Sequence, residues 1–175
     1  MSRRPLIMHV LGTRPEAIKL APVILTLAAD SRIRQVVVAT AQHRELLDQA
    51  LAVFGIVPDY DLDAMQPSTT PDLPFLLGNV LGPVMSSVSP DLVVVQGDTA
   101  TALAGSMAAG FRRLPLVHVE AGLRTHDRGA PFPEEINRQL IARLASFHFA
   151  PTVTARANLL AEGVSAANVE VTGNT

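Results

Sequence analysis

Short, nearly uniform apolar runs alternate along this chain with longer stretches in which apolar residues recur every three or four positions. The first pattern predicts strands buried on both faces, and the second predicts helices packed against them. "LIMHVL" (6–11) closes at Gly12 as a first strand. "PEAIKLAPVILTLAAD" (15–30) follows as a helix with Pro15 at its first position, and Pro22 predicts a kink or a restart within it. "RQVVVAT" (34–40) reads as a second strand. "HRELLDQALAVFG" (43–55) reads as a helix with Leu47, Ala50, Leu51 and Phe54 on one face and Gly55 past its end. Residues 57–74, rich in proline and aspartate, read as a loop. The stretch 75–88 is apolar enough for a helix but weakened by Gly78, Gly82 and Pro83. Strands are then expected at 91–97, 114–119 and 147–151, with a final strand and turn at 169–175. Helices are expected at 99–111, 134–146 (Ile136, Leu140 and Leu144 in register) and 152–163.

Six strands with intervening helices predict one α/β domain, a doubly wound parallel sheet of Rossmann type. Composition agrees: of 175 residues 48% are hydrophobic but only 4% aromatic, so the core must be built from Ala, Val, Leu and Ile. A formal net charge of −2 gives no electrostatic footprint for nucleic acid or an anionic membrane. Without cysteine there is neither a disulfide framework nor thiolate chemistry. The N-terminal "MSRRPLIMHVL" is too short in its apolar part for a signal peptide, and no run reaches membrane-spanning length, so a cytoplasmic protein is expected.

In an open parallel sheet, ligands bind beyond the carboxyl ends of the strands. Three such ends carry conspicuous residues here, in "GTRPEAIK", "GDTAT" and "EAGLRT". Arg14 precedes a helix N-terminus, where it could hold an anion with help from backbone N–H groups; a solvated Arg14 beside an N-cap Thr13 is an equal reading. Lys19, the one lysine among 14 basic residues, lies five residues on and does not share Arg14's direction around the helix. Asp98 alone reads as an N-cap before it reads as a catalyst. Glu120, directly after "LVHV", needs a partner such as His118 or an arginine. Glu134 and Glu135 open a helix, where capping accounts for one of them, and Arg138 is placed for an i,i+4 pair with Glu134. Together these carboxylates and arginines form a constellation suited to general acid/base chemistry on an anionic substrate. Scattered histidines without ligand spacing argue against a metal, and the lack of G-x-S-x-G and of cysteine argues against acyl transfer.

"GTRPEAIKLAP", "TAQHRELLDQ", "FGIVPDYDL", "QGDTATALA", "HVEAGLRT", "PFPEEINR" and "TGNT" occur in an order and spacing that resemble the bacterial non-hydrolysing UDP-N-acetylglucosamine 2-epimerases, over nearly the whole chain. The resemblance implies one half of a two-domain GT-B-type fold. Residues 1–175 would form the N-terminal Rossmann-like domain, with a C-terminal nucleotide-binding domain required in cis or in trans. It implies interconversion of UDP-GlcNAc and UDP-ManNAc through elimination of UDP, 2-acetamidoglucal and re-addition, without a cofactor or metal. By motif, Asp98, Glu120 and Glu134 are the acid/base candidates, Arg14, Lys19 and Arg138 the substrate-binding ones, and Gln42 a contact to a second, regulatory UDP-GlcNAc. A homodimer is expected, with the isolated half inactive. The rival readings are a non-catalytic nucleotide-sugar-binding or dimerisation module and half of a GT-B glycosyltransferase; the three acidic positions disfavour the latter.

Overall fold

A computed structural model describes residues 3–41, 44–64 and 72–175. In chain order the elements are β1 (Leu6–Leu11), α1 (Arg14–Ala28), β2 (Arg34–Ala39), α2 (Arg44–Val53), β3 (Tyr60–Asp61), α3 (Leu73–Val88), β4 (Leu92–Gln96), α4 (Ala100–Gly110), β5 (Leu116–Val119), α5 (Glu134–Leu144), β6 (Phe147–Ala150), α6 (Val153–Ala161) and β7 (Val169–Val171). The strands form one sheet in the order β3-β2-β1-β4-β5-β6-β7, and each neighbouring pair is parallel. This is the doubly wound arrangement expected, with its topological switch between β1 and β4.

Alternation along the strands sorts the core into two layers. Met8, Val10, Val93, Val95 and Leu116 pack with α3 and α4, whereas Leu11, Val37, Val94 and Val117 pack with α1 and α2. A smaller cluster joins Ala150, Leu159 and Val169 beneath α6. The α2 face predicted from spacing is the buried one, with Leu47, Ala50 and Leu51 inside. Most of α4 is buried, and its small residues allow the close approach: a Cβ on Gly105 would lie 3.1 Å from Val95.

Several expectations change. A seventh strand, β3, lies within the stretch read as loop. It has two residues, and the Asp59 carboxylate accepts a hydrogen bond from the Val37 N–H at 2.8 Å, taking a place that a backbone carbonyl would fill. So short a strand shows no periodicity in sequence. Helix α1 runs through Pro22 without a restart. Helix α3 is a full helix despite two glycines and a proline. Burial of Leu73, Leu77, Leu81 and Met85, worth about 1.5–3 kcal/mol each, outweighs about 1 kcal/mol per glycine and about 3 kcal/mol for Pro83. In α5 the buried face is Glu135, Asn137, Ile141 and Ala142, and Leu140 is exposed. Polar anchoring by Glu135 and Asn137 sets that rotation, not the apolar spacing of Ile136, Leu140 and Leu144. Among the described residues no helix is long and apolar enough to cross a membrane.

Three histidines, His9, His118 and His148, are buried in the sheet. Desolvation lowers His9 to about 4, slightly opposed by nearby Gln35, although neither ring nitrogen reaches a hydrogen-bond partner among the described residues. Desolvation likewise lowers His118 to about 3 against the opposing bond to Gly97 O. Both folded values lie below the unfolded value of about 6.5, so as pH falls the unfolded chain takes up protons first. The stability this provides is complete above that unfolded value and drains away as pH falls toward the folded ones. Near pH 5 the expected loss is on the order of 2 kcal/mol per histidine, partly offset by the raised carboxyl of buried Glu16. Urea midpoints compared near pH 7.5 and near pH 5 are expected to differ clearly, and His9→Leu is expected to narrow the gap. Equal midpoints in the parent chain would remove this account.

Candidate functional site

The pairs His9↔Val94 and Gln96↔Val119 bring the carboxyl ends of β1, β4 and β5 level. The three turns that follow therefore open on one edge of the sheet, as the alternation of elements predicts. Gly12 in the first turn rests on a buried pair of hydroxyls, Thr40 and Thr101, joined at 2.9 Å. A Cβ there would lie 2.2 Å from each of them, so no side chain fits. Arg14 begins α1 exposed, with no hydrogen-bond or ion-pair partner among the described residues. Lys19 reaches across to pair with Glu120.

Glu120 stands at φ +63, a left-handed conformation that costs a non-glycine residue about 1–3 kcal/mol and persists only where its surroundings enforce it. Its partner is Lys19, not His118 or an arginine as its position suggested. His118 instead bonds the Gly97 carbonyl at 2.7 Å. That carbonyl precedes Asp98, so the histidine acts on the turn below the site and not on Glu120.

Asp98 is not the cap of α4. Thr99 is, accepting from the Ala102 N–H at 2.9 Å, and this leaves the Asp98 carboxylate free to face the rim. Arg138 pairs with Asp98 and lies 3.4 Å from Glu135; it does not form the i,i+4 pair with Glu134. Asn137 holds the Asp98 carbonyl at 2.8 Å. The Asp98 side chain keeps only 25% of its surface, and burial raises its carboxyl above the ordinary range. The charge of Arg138 opposes this, and the like charges of Glu134 and Glu120 add to it. That coupling brings the three carboxylates named from sequence into one field. Glu134 opens α5 half-buried.

Glu135 does more than complement a helix dipole. Fully buried, it accepts from the amides of Thr125 at 3.1 Å and His126 at 3.3 Å and from the Gln139 amide at 2.9 Å, folding the β5–α5 loop back over α5. Burial pushes its carboxyl up, but these donors and Arg138 outweigh that and hold it below the ordinary range. Arg124 secures the same loop through a two-pronged pair with Glu162, at 2.6 and 2.8 Å. Sequence reasoning did not single out Glu16 or Arg124, and it gave His118 and Glu135 other parts, as a partner for Glu120 and as a helix-start acid. The one legible sign of Glu16 is its place three residues after Thr13, the spacing of a capping box. Gln42 lies outside the described residues, and among those described no cluster of His, Asp or Glu could hold a metal ion.

Surface depressions lined by Gln139, Leu140, Arg143 and Glu162, and by Phe75, Met107, Phe111 and Arg112, do not include Asp98, Glu120 or Glu134. The acids and cations instead line an open rim.

The UDP-N-acetylglucosamine 2-epimerase family model matches residues 25–175. The UDP-N-acetylglucosamine 2-epimerase of Escherichia coli K12 is 51% identical over 170 residues, covering 97% of this chain and 45% of its own length. The crystal structure of UDP-GlcNAc 2-epimerase from Neisseria meningitidis bound to UDP-GlcNAc superposes with a TM-score of 0.93 at 47% identity, covering 97% of this chain and 46% of that one. The Methanocaldococcus jannaschii enzyme in complex with UDP-GlcNAc and UDP gives 0.87 at 36% identity, with 97% and 46% covered. The chain thus spans about half the length of the relatives it matches. With the family model covering most of its residues and with half-identical relatives aligned from end to end of it, the chain belongs to the UDP-N-acetylglucosamine 2-epimerase family.

Proposed function

We propose that residues 1–175 form the N-terminal half of a UDP-GlcNAc 2-epimerase, with a C-terminal nucleotide-binding domain completing the active cleft in cis or in trans. The observation that carries this reading is Asp98, a carboxyl raised by burial and by neighbouring Glu134 and Glu120, at a rim that also bears Arg14, Lys19 and Arg138. A carboxyl with raised affinity for protons is suited to exchanging one with carbon at ordinary pH. An open rim, not a closed pocket, suits a cleft whose second wall belongs to another domain.

In this reading one of the three carboxylates removes the proton from C2 of the sugar while the C1–O bond to UDP breaks. The products are 2-acetamidoglucal and UDP. A carboxylic acid on the other side of the ring returns a proton to C2 on the opposite face, and UDP re-adds at C1, giving the C2 epimer. Exposed Arg14 and partly exposed Lys19 are placed to offset charge developing on the departing diphosphate. Lys19 must share its charge with Glu120, so the sugar nucleotide enters between members of an existing ion pair. Arg138 keeps Asp98 aimed at the rim. No cofactor or metal enters these steps.

A homodimer through the α3/α4 face belongs to the same proposal. Phe75, Leu76, Val80 and Phe111 are exposed there, Phe111 by 86%, and a groove joins Phe75 to Phe111. Contiguous apolar surface of this kind is characteristic of an interface.

The purified chain is expected to form no UDP-ManNAc from UDP-GlcNAc. A chimera that joins it to the remaining half of the Escherichia coli relative is expected to do so. Epimerisation by the chain alone would refute the division into two necessary halves, and a well-folded chimera without turnover would favour a binding module. In the active chimera, Asp98→Asn is expected to lower kcat by about 100-fold or more, the range general acid/base groups supply; an unchanged kcat would remove Asp98 from proton transfer. Sedimentation of the chain is expected to show a dimer that Phe111→Glu converts to monomer, and an identical distribution for the two would rule out this face.

A further inference from the structure

Glu16 is a carboxylate with no solvent exposure, two residues after exposed Arg14 and three before Lys19. Its Oε2 accepts from the Gly12 N–H at 3.0 Å, the Thr13 N–H at 2.7 Å and the Thr13 hydroxyl at 2.7 Å. Its Oε1 accepts from the Thr99 hydroxyl at 2.6 Å. Thr99 in turn caps α4 and directly follows Asp98. One buried side chain therefore grips both turns at the switch point, the turn leading to Arg14 and Lys19 and the turn carrying Asp98.

A capping box on α1 needs from the Glu16 side chain only the one bond it accepts from the Thr13 N–H. It requires neither full burial nor a second oxygen directed at another helix. Burial raises the Glu16 carboxyl above its ordinary range even against four donors, so the arrangement carries a desolvation cost that a solvent-exposed cap would avoid. The additional feature obtained for that cost is the bond to Thr99, eighty-three positions away in sequence.

We propose that Glu16 is a positioning residue, which sets the distance between the cation-bearing turn after β1 and the Asp98 turn after β4. The inference deepens the proton-transfer role proposed for Asp98 and rests on it. Glu16 touches no reacting atom; it acts through Thr99 and through the Gly12–Thr13 backbone. Geometry, not charge, is the requirement. Glutamine can meet it, its carbonyl oxygen accepting from the Gly12 and Thr13 donors while its amide donates to the Thr99 hydroxyl, which has a second lone pair beyond the one used by Ala102.

The test follows the Asp98 carboxyl by carbon NMR across a pH titration of the 175-residue chain, in the parent and in Glu16→Gln, Glu16→Ala and Thr99→Val, alongside thermal melts. None of these readouts depends on turnover, so failure of the epimerase reading and failure of this proposal remain distinguishable. Glu16→Gln is expected to leave the Asp98 midpoint in place. Glu16→Ala and Thr99→Val are expected to lower it toward the ordinary aspartate range, as the released turn gains solvent. If Glu16→Ala does not fold, Thr99→Val decides with Thr99→Gly beside it: both cut the bridge and leave the α1 bonds of Glu16 intact, and glycine, unlike valine, is tolerated as the α4 cap, so a shift in both belongs to the bridge. Lower melting temperatures with an unmoved Asp98 midpoint would reduce Glu16 to a helix cap. An equal shift in Glu16→Gln would assign the effect to charge. Either result overturns the proposal.

Discussion

Parallel pairing of β1, β4 and β5 in one register is the constraint on which the site depends. It brings Leu11, Gln96 and Val119 to a common level, so the residues that follow each strand meet without any long connection having to find its way. Side chains alternate faces along a strand, so a slip of one residue between β4 and β5 would carry the side chains of β5 into the wrong one of the two core layers and separate His118 from the Gly97 carbonyl. The apolar layers above and below the sheet make such a slip costly. The placement of the charged residues at the rim thus depends on Val, Leu and Ala residues that never approach it.

Within that frame, polar groups with little access to water do the fine placement. Glu135 folds the β5–α5 loop, Arg138 and Asn137 fix Asp98, and Arg124 with Glu162 ties the loop to the end of α6. Buried charges of this kind add little net stability over apolar substitutes, because desolvation offsets much of their attraction. They do select one arrangement over its neighbours, since removal of one partner leaves the other charged and poorly solvated. A site that must keep three carboxylates close against their mutual repulsion benefits from such selection.

Six of the seven strands, the helices and the segments that meet at the rim were legible in the chain because each leaves a local mark; the two-residue β3 leaves none. Apolar runs end at Gly12 and Gly97, and charged residues follow within two positions, Arg14 and Asp98. The pairing of those residues was not legible. Glu120 meets Lys19 across a sequence separation of 101, and Arg138 meets Asp98 across 40, distances over which periodicity carries no information. Glu135 was read as a helix-start acid because helix starts commonly carry acids, and Glu16 drew no reading of its own; only burial distinguishes a group that complements a dipole from one that braces a loop. The α5 face was misjudged for a related reason, since counting apolar residues cannot anticipate that a glutamate and an asparagine will take the inward positions.

The two-residue β3 carries a different consequence. It ends one side of the sheet, and its approach is occupied by Asp59 side-chain bonding to Val37 and by Arg44 held between Asp48, Asp61 and Asp63. Free amide and carbonyl groups in a long, flat row would invite a neighbouring molecule to stack on laterally. With so brief a terminus, already crowded by charge, the sheet offers little purchase for fibril-like growth from that side.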